Sequence, residues 1–277
     1  MRNSMAKALM FCFLSLSVVA LGFISMAFAP TVDYELLHVI EVDGDYMAVD
    51  QLRSAYIINS SGQVEKYDTA GTMVSRFAEN RYGRPSSIDA TSPFNTLIFY
   101  PDFSTVVAVD NKLNARTLYR FPSMGVNQVS AACLSHDNRV WFWDQEKSQV
   151  KKIDAQYEVV HESMEMDLVL GAAVEPNFMI ERDRFLFVND PEIGIILFDL
   201  YGHYYTSFSI TGLSSFQVIN ENLVFLNEGN LVVYDYKLND ARELPLPNGG
   251  KNVKSVHLEK DRLFILTEKE LRVYASK

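Results

Sequence analysis

One kind of segment returns along this chain at nearly constant spacing. Short apolar runs, rich in aromatic and β-branched residues, stop at a polar residue or turn: Tyr56-Ile57-Ile58-Asn59, Leu97-Ile98-Phe99-Tyr100, Val140-Trp141-Phe142-Trp143-Asp144, Phe185-Leu186-Phe187-Val188-Asn189, Leu223-Val224-Phe225-Leu226-Asn227 and Leu263-Phe264-Ile265-Leu266-Thr267. Runs of that length and composition bounded by turns read as buried strands. Each is followed by a second strand that usually closes on Asp: Asp68, Asp110, Asp154, Asp199 and Asp235, and finally Tyr274-Ala275. Those endpoints are 42, 44, 45, 36 and 40 residues apart. A fixed period of about 40 residues constrains the fold more than any composition figure, because each unit must bury its apolar faces against the next.

Further strands flank the pair. Met47-Ala48-Val49, Ser87-Ile88-Asp89, Phe178-Met179-Ile180, Phe216-Gln217-Val218-Ile219 and Val256-His257-Leu258 precede apolar runs, while Met73–Phe77, Arg116–Phe121 and Tyr204–Ile210 follow the Asp turns. Four strands in about 40 residues, with no amphipathic helix, describe a propeller blade. Asp68-Thr69-Ala70-Gly71 and Asp199-Leu200-Tyr201-Gly202 have the composition of type I turns, so the Asp residues are expected to serve structure rather than chemistry. The last unit supplies three strands, and Tyr34–Ile40 forms an orphan strand ahead of the first. Joining them predicts an all-β, six-bladed propeller closed by the N-terminal strand, which leaves no sheet edge unpaired.

Val64–Gly71, then Phe77, then Tyr82-Gly83-Arg84-Pro85-Ser86-Ser87-Ile88-Asp89 resembles a unit boundary of the six-bladed NHL or TolB-like propellers. The pattern extends over the whole chain after the leader, while the Gly-x-Pro wording occurs at that boundary alone. No Gly-His or Trp-Asp pair marks a WD40 blade. Ala108-Val109-Asp110 is similar to quinoprotein repeats but lacks their Gly and Trp positions, so that cofactor is not inferred.

Arg2 and Lys7 precede an uncharged stretch from Ala8 to Ala29, the order of a basic n-region and an apolar h-region. Residues 1–27 are expected to be a signal peptide cut after Ser25-Met26-Ala27, with an uncleaved N-terminal anchor as the alternative; residues 28–277 form the propeller domain. Both place the domain outside the cytoplasm, in the periplasm or secreted. The full chain of 277 residues carries 25 basic and 35 acidic residues, and loss of Arg2 and Lys7 takes the net charge from −10 to −12. That balance excludes a nucleic-acid binder. Cys12 would leave with the leader, so Cys133, inside an apolar run, is expected to be a buried, inert thiol.

Catalytic wording is missing. His38, His136, His161, His203 and His257 stand singly at turn or strand positions, and there is no nucleophile elbow or phosphate loop. Loops between second and third strands and loops between blades share one face of the disc. They would gather there Asn59, Asp102, Asp144, Glu146, Asn189, Asp190, Glu192, Asn227, Glu228 and Glu268. Six-bladed lactonases of the SMP-30 type hold a divalent metal with Glu, Asn and Asp at such positions, and that resemblance makes Asp144, Asn189, Asp190 and Glu228 the candidates for Ca²⁺ or another divalent cation. The same residues populate any polar turn, so no metal or cofactor is assigned. Asn80–Pro85 stands beside Tyr100–Phe103 and near Trp143 on this face. Arg81, Tyr82, Arg84, Asp102 and Phe103 form the expected partner-binding patch, since Arg and aromatic side chains concentrate at interface centres. The expected function is a non-catalytic scaffold for an envelope protein or glycan, reaching a membrane only through an uncleaved leader or a membrane-protein partner. The alternative is a metal-dependent hydrolase or lactonase with its site in the central channel.

Overall fold

A computed structural model describes residues 34–276; the leader expected at residues 1–27 lies outside them. Six antiparallel four-stranded sheets follow one another around a ring. From the innermost strand outward, blade 1 is Gly44–Val49, Ala55–Asn59, Val64–Tyr67 and Met73–Phe77. Blade 2 is Ser87–Asp89, Thr96–Tyr100, Thr105–Val109 and Ala115–Arg120; blade 3 is Val129–Leu134, Val140–Asp144, Gln149–Ile153 and Val159–Glu162. Blade 4 comprises Phe178–Arg182, Phe185–Asp190, Gly194–Asp199 and Tyr204–Phe208, and blade 5 comprises Gln217–Ile219, Asn222–Asn227, Asn230–Asp235 and Asp240–Pro245. Blade 6 has Val253–Glu259, Arg262–Thr267 and Glu270–Ser276 from the C-terminal end and Tyr34–Glu41 as its outer strand. The all-β six-bladed architecture and its closure therefore match the expectation. One short α-helix, Met166–Leu170, occurs in the connection from blade 3 to blade 4.

The Asp turns are built as their composition predicts. Asp68 Oδ1 accepts the amides of Ala70 and Thr72, both at 2.9 Å, and Gly71 closes the turn at φ +80°. Asp110, Asp154 and Asp199 repeat the pattern, each accepting the amides two and four residues on. The fourth position has positive φ whether it is Gly202, Leu113 or Tyr157, and the strand register shifts by one residue beside each turn. This is a type I turn followed by a left-handed bulge residue, which tightens a hairpin and increases its twist.

The second and third strands of the blades are buried on both faces, which accounts for their unbroken apolar runs. The core divides into six clusters, each shared between two neighbouring blades. Side chains also reach from one blade to the backbone of the next. Gln217 gives its amide to Leu258 O (3.0 Å) and accepts Leu258 N (2.7 Å), and Asp89 accepts Leu134 N (2.7 Å). The densest such joint is at Glu181, on the innermost strand of blade 4. Its buried carboxylate accepts Ser135 Oγ and Trp141 Nε1 at 2.6 Å and His136 N at 2.8 Å, with His136 Nδ1 also at 2.6 Å. Burial pushes this carboxyl up, but the four hydrogen bonds from blade 3 together outweigh burial and hold it below the usual carboxylate range.

Two outcomes are expected. Tyr34–Glu41 pairs with Glu270–Ser276 from Tyr34↔Ser276 to Glu41↔Glu270, so deleting residues 30–41 exposes a sheet edge; the truncated protein should aggregate or melt far below the parent, as size-exclusion chromatography and calorimetry would record. Glu181→Ala leaves buried donors of Trp141 and Ser135 without a partner and should cost about 3 kcal/mol in urea unfolding at pH 7. Because the folded-state pKa is the lower one, that loss should shrink as pH falls below about 4.5, where the unfolded carboxyl takes up its proton first.

Candidate functional site

The expected patch is brought together on one face, though its members are unequally available. Arg81 projects into solvent and pairs with Glu79, Nε to Oε1 at 2.9 Å, while Glu79 caps the single 3₁₀ turn Asn80–Tyr82 by accepting Arg81 N. Tyr82 corrects the expectation: at 8% exposure it belongs to the core between blades 1 and 2, packed edge-on against Tyr100 with ring centroids 5.9 Å apart. Its hydroxyl accepts Arg120 at 3.2 Å. Arg84 bridges blades, donating to Ser60 O at 2.7 Å and Asn59 O at 3.1 Å and ion-pairing with Asp45. Asp102 accepts Arg84 N at 3.3 Å and lies so close to Gly83 that a Cβ there would collide with its carboxylate. Phe103 is 57% exposed, and Trp143 is buried in the core shared by blades 3 and 4. The accessible anchors are therefore Arg81 and Phe103, with Arg84 half-engaged and Tyr82 and Asp102 supporting from beneath.

The cation candidates do not converge. Asp144 receives Lys151 Nζ at 2.6 Å, and Asp190 caps its own turn by accepting Glu192 N, Ile193 N and Glu175 N. Asn189 donates to Asn177 Oδ1 and Leu213 O, tying blade 4 to the connection that follows it, and Glu228 is an exposed turn residue at φ +48°. Among the described residues no three His, Cys, Asp or Glu side chains gather as a metal-holding group. Asp144 and Asp190 cap turns because a second-to-third-strand hairpin leaves backbone amides that need an acceptor. Cys133 is fully buried, and burial raises its thiol well above the ordinary value, as expected of an inert core cysteine.

The central channel holds residues that no local motif marked. A cavity of about 510 Å³ is lined from the innermost strands of blades 1, 2, 4, 5 and 6. Its half nearer the blade-to-blade connections carries Tyr46, Phe178, Leu213, Ser214, Ser215 and Phe216; its opposite end carries Gln51, Thr91, Arg182, Asn220, His257 and Glu259. His257 occupies the wall of the channel, where burial first and then the Arg182 guanidinium push its imidazole down to about 3. The imidazole is thus neutral at physiological pH.

No family model matches the chain, and no curated protein matches it in sequence. Solved structures do. Selenomethionine-substituted virginiamycin B lyase from Staphylococcus aureus aligns with a TM-score of 0.64 at 10% identity, over 88% of this chain and 99% of the lyase. BamB from Moraxella catarrhalis gives 0.53 at 10% identity, covering 88% of this chain and 98% of BamB. The extracellular domain of a putative hybrid two-component system from B. thetaiotaomicron gives 0.53 at 16% identity, over 83% of this chain and 33% of that one. At such identities the likeness is one of fold, and the fold hosts unrelated activities.

The channel histidine makes a pH-dependence explicit. Its folded pKa is depressed, so between pH 6.5 and about 3 the unfolded chain binds a proton there that the native state does not, and stability must fall as the pH is lowered through that window. His161, lowered by burial and then by Lys152, acts in the same direction. The melting temperature of His257→Gln should decline less steeply than the parent's between pH 6.5 and 5; identical slopes would show the imidazole protonating freely.

Proposed function

We propose that this chain is an exported, non-catalytic binding scaffold that engages a protein or glycan of the cell envelope through its loop face. The observation that carries the reading is the exposure of large apolar side chains there. Phe103 belongs to the second-to-third-strand loop of blade 2. Met164 at 66% and Leu168 at 76% exposure sit in the longest connection between blades. Side chains of that size held out on a rigid disc offer area for an interface, and the salt-bridged Arg81 supplies a planar donor on the same face. Two of the acidic residues on the same face, Asp144 and Asp190, are engaged by Lys151 and by turn amides, which favours the scaffold over a hydrolase centred on them. The extracytoplasmic placement rests on the basic-then-apolar leader pattern, and the fold neighbours BamB and the extracellular domain of a hybrid two-component system are in keeping with it. No helix among the described residues is long and apolar enough to cross a membrane. Kinship with the NHL or TolB-like propellers is the finer reading, supported by the Tyr82-Gly83-Arg84-Pro85 boundary.

The test is cross-linked affinity capture from the native envelope, repeated with two surface variants. Arg81→Ala with Phe103→Ala, and separately Met164→Ser with Leu168→Ser, should keep the parent's melting temperature. An anchor at the centre of an interface costs about 2 kcal/mol or more on truncation, roughly a thirtyfold loss in affinity. Undiminished capture by both variants would move the interface off this face.

A further inference from the structure

The channel is a second site, independent of the loop face, and its chemistry can be read by elimination. Seven acidic or basic residues line the 510 Å³ cavity: Asp89, Arg182, Asp183, Lys254, His257, Glu259 and Lys260. Four are accounted for by the fold. Asp89 accepts the amides of Leu134 and Thr91. Lys254 is held by Gly44 O at 3.1 Å and Asp45 at 3.2 Å, Lys260 donates to Gln51 O at 3.0 Å, and Asp183 sits at the rim on an exposed turn at φ +51°. Arg182, His257 and Glu259 remain, and the side chain of none of them makes a hydrogen bond or ion pair with another described residue.

Their arrangement is not accidental crowding. Arg182 ends the innermost strand of blade 4, whereas His257 and Glu259 are two apart on the innermost strand of blade 6 and so face the same side of that strand. Across the intervening blade 5 the guanidinium is felt by both. A partly buried guanidinium without a carboxylate partner and an imidazole whose ring nitrogens have no protein partner thus line one lumen. Farther along the same lumen the wall changes to Phe178, Leu213, Phe216 and Tyr46, interrupted by the hydroxyls of Ser214 and Ser215. A cavity of 300–1,000 Å³ with an apolar wall and a few convergent polar groups is the form of a small-molecule site.

We infer that the channel binds an amphiphilic monocarboxylate, its head group on Arg182 and His257 and its apolar body along the Phe178–Phe216 wall. The guanidinium fork matches a carboxylate in two parallel hydrogen bonds, and a neutral imidazole adds one N–H donor without a second charge. Glu259 sets the charge limit, because a carboxyl on the same strand repels a dianion such as a phosphomonoester more than a monoanion.

Isothermal titration of the whole protein tests this with 3-phenylpropanoate and octanoate, each beside its primary amide, at pH 7. The acids should bind one per chain and at least tenfold more tightly than the amides, and Arg182→Gln should weaken the acids at least tenfold. His257→Leu, a second variant that removes the ring N–H donor without touching the charge, should weaken them several-fold. Arg184→Gln, on the exposed turn outside the cavity, should bind as the parent does. Acids that bind no better than their amides, acids that do not bind at millimolar concentration, or a parent-like affinity in Arg182→Gln would each overturn the assignment. An equal loss in Arg184→Gln would overturn it too, by showing a diffuse surface-charge effect. None of these outcomes bears on capture by the loop face.

Discussion

Among the described residues, every apolar cluster is shared by two blades. Residues of blades 1 and 2 make one wedge of core, blades 2 and 3 the next, and the sixth wedge joins blade 6 back to blade 1 through Met47, Ile57, Phe264 and Leu266. No blade owns a core, so no blade can bury its two faces alone. The ring is the smallest object in which all six wedges are filled, and it explains why the strand from the N-terminal side must complete the last sheet. A blade 6 missing its outer strand would present a half-covered wedge and a free row of backbone donors and acceptors.

Polar side chains then fix how far each blade turns relative to the next. Apolar wedges are tolerant of small rotations, whereas Gln217 on Leu258, Asp89 on Leu134 and Glu181 on the Ser135–His136 turn each permit a narrow range of distances. A buried carboxylate such as Glu181 adds no stability over an apolar substitute of the same shape, but it penalises every arrangement in which its donors are not met. The walls of the channel are positioned by these bonds: Asp89 and Gln217 line it, and Arg182 follows Glu181, which is tied to blade 3.

The architecture was legible because it is periodic. Buried strands announce themselves as apolar runs, Asp turns by their Asp-x-x-Gly wording, and the blade count by the interval between them. The site was legible only in part. Arg81 and Phe103 stand exposed as their loop positions imply, but Tyr82 turned inward, because a Tyr next to a Gly in a short turn can fill a gap between blades as readily as it can meet a partner. Asp144 and Asp190 looked like ligands from their shared face and proved to be acceptors for nearby amides or a lysine. The channel trio left no trace at all, since Arg182 and His257 lie in different repeats and no spacing along the chain relates them. Aligning the first strand of each repeat and asking which charged residues lack a neighbouring counter-charge is the one sequence-level route to them.

The joint between Tyr34–Glu41 and Glu270–Ser276 also sets an order of events in time. During synthesis, five blades can stack in sequence as they emerge, each contact being local, yet the first strand must wait beside an unfinished ring until the final residues arrive. Bringing strands together across more than two hundred residues carries a loop-closure entropy of about 5 kcal/mol, met only after the intervening wedges have already drawn the two ends close. Through that interval Leu36, Leu37 and Val39 belong to a solitary β-strand with nothing to pair with, and the chain is at its most vulnerable to proteases and to its own copies. A ring closed this way is therefore slow to complete and, once complete, slow to open, so its persistence becomes a matter of rate as much as of equilibrium.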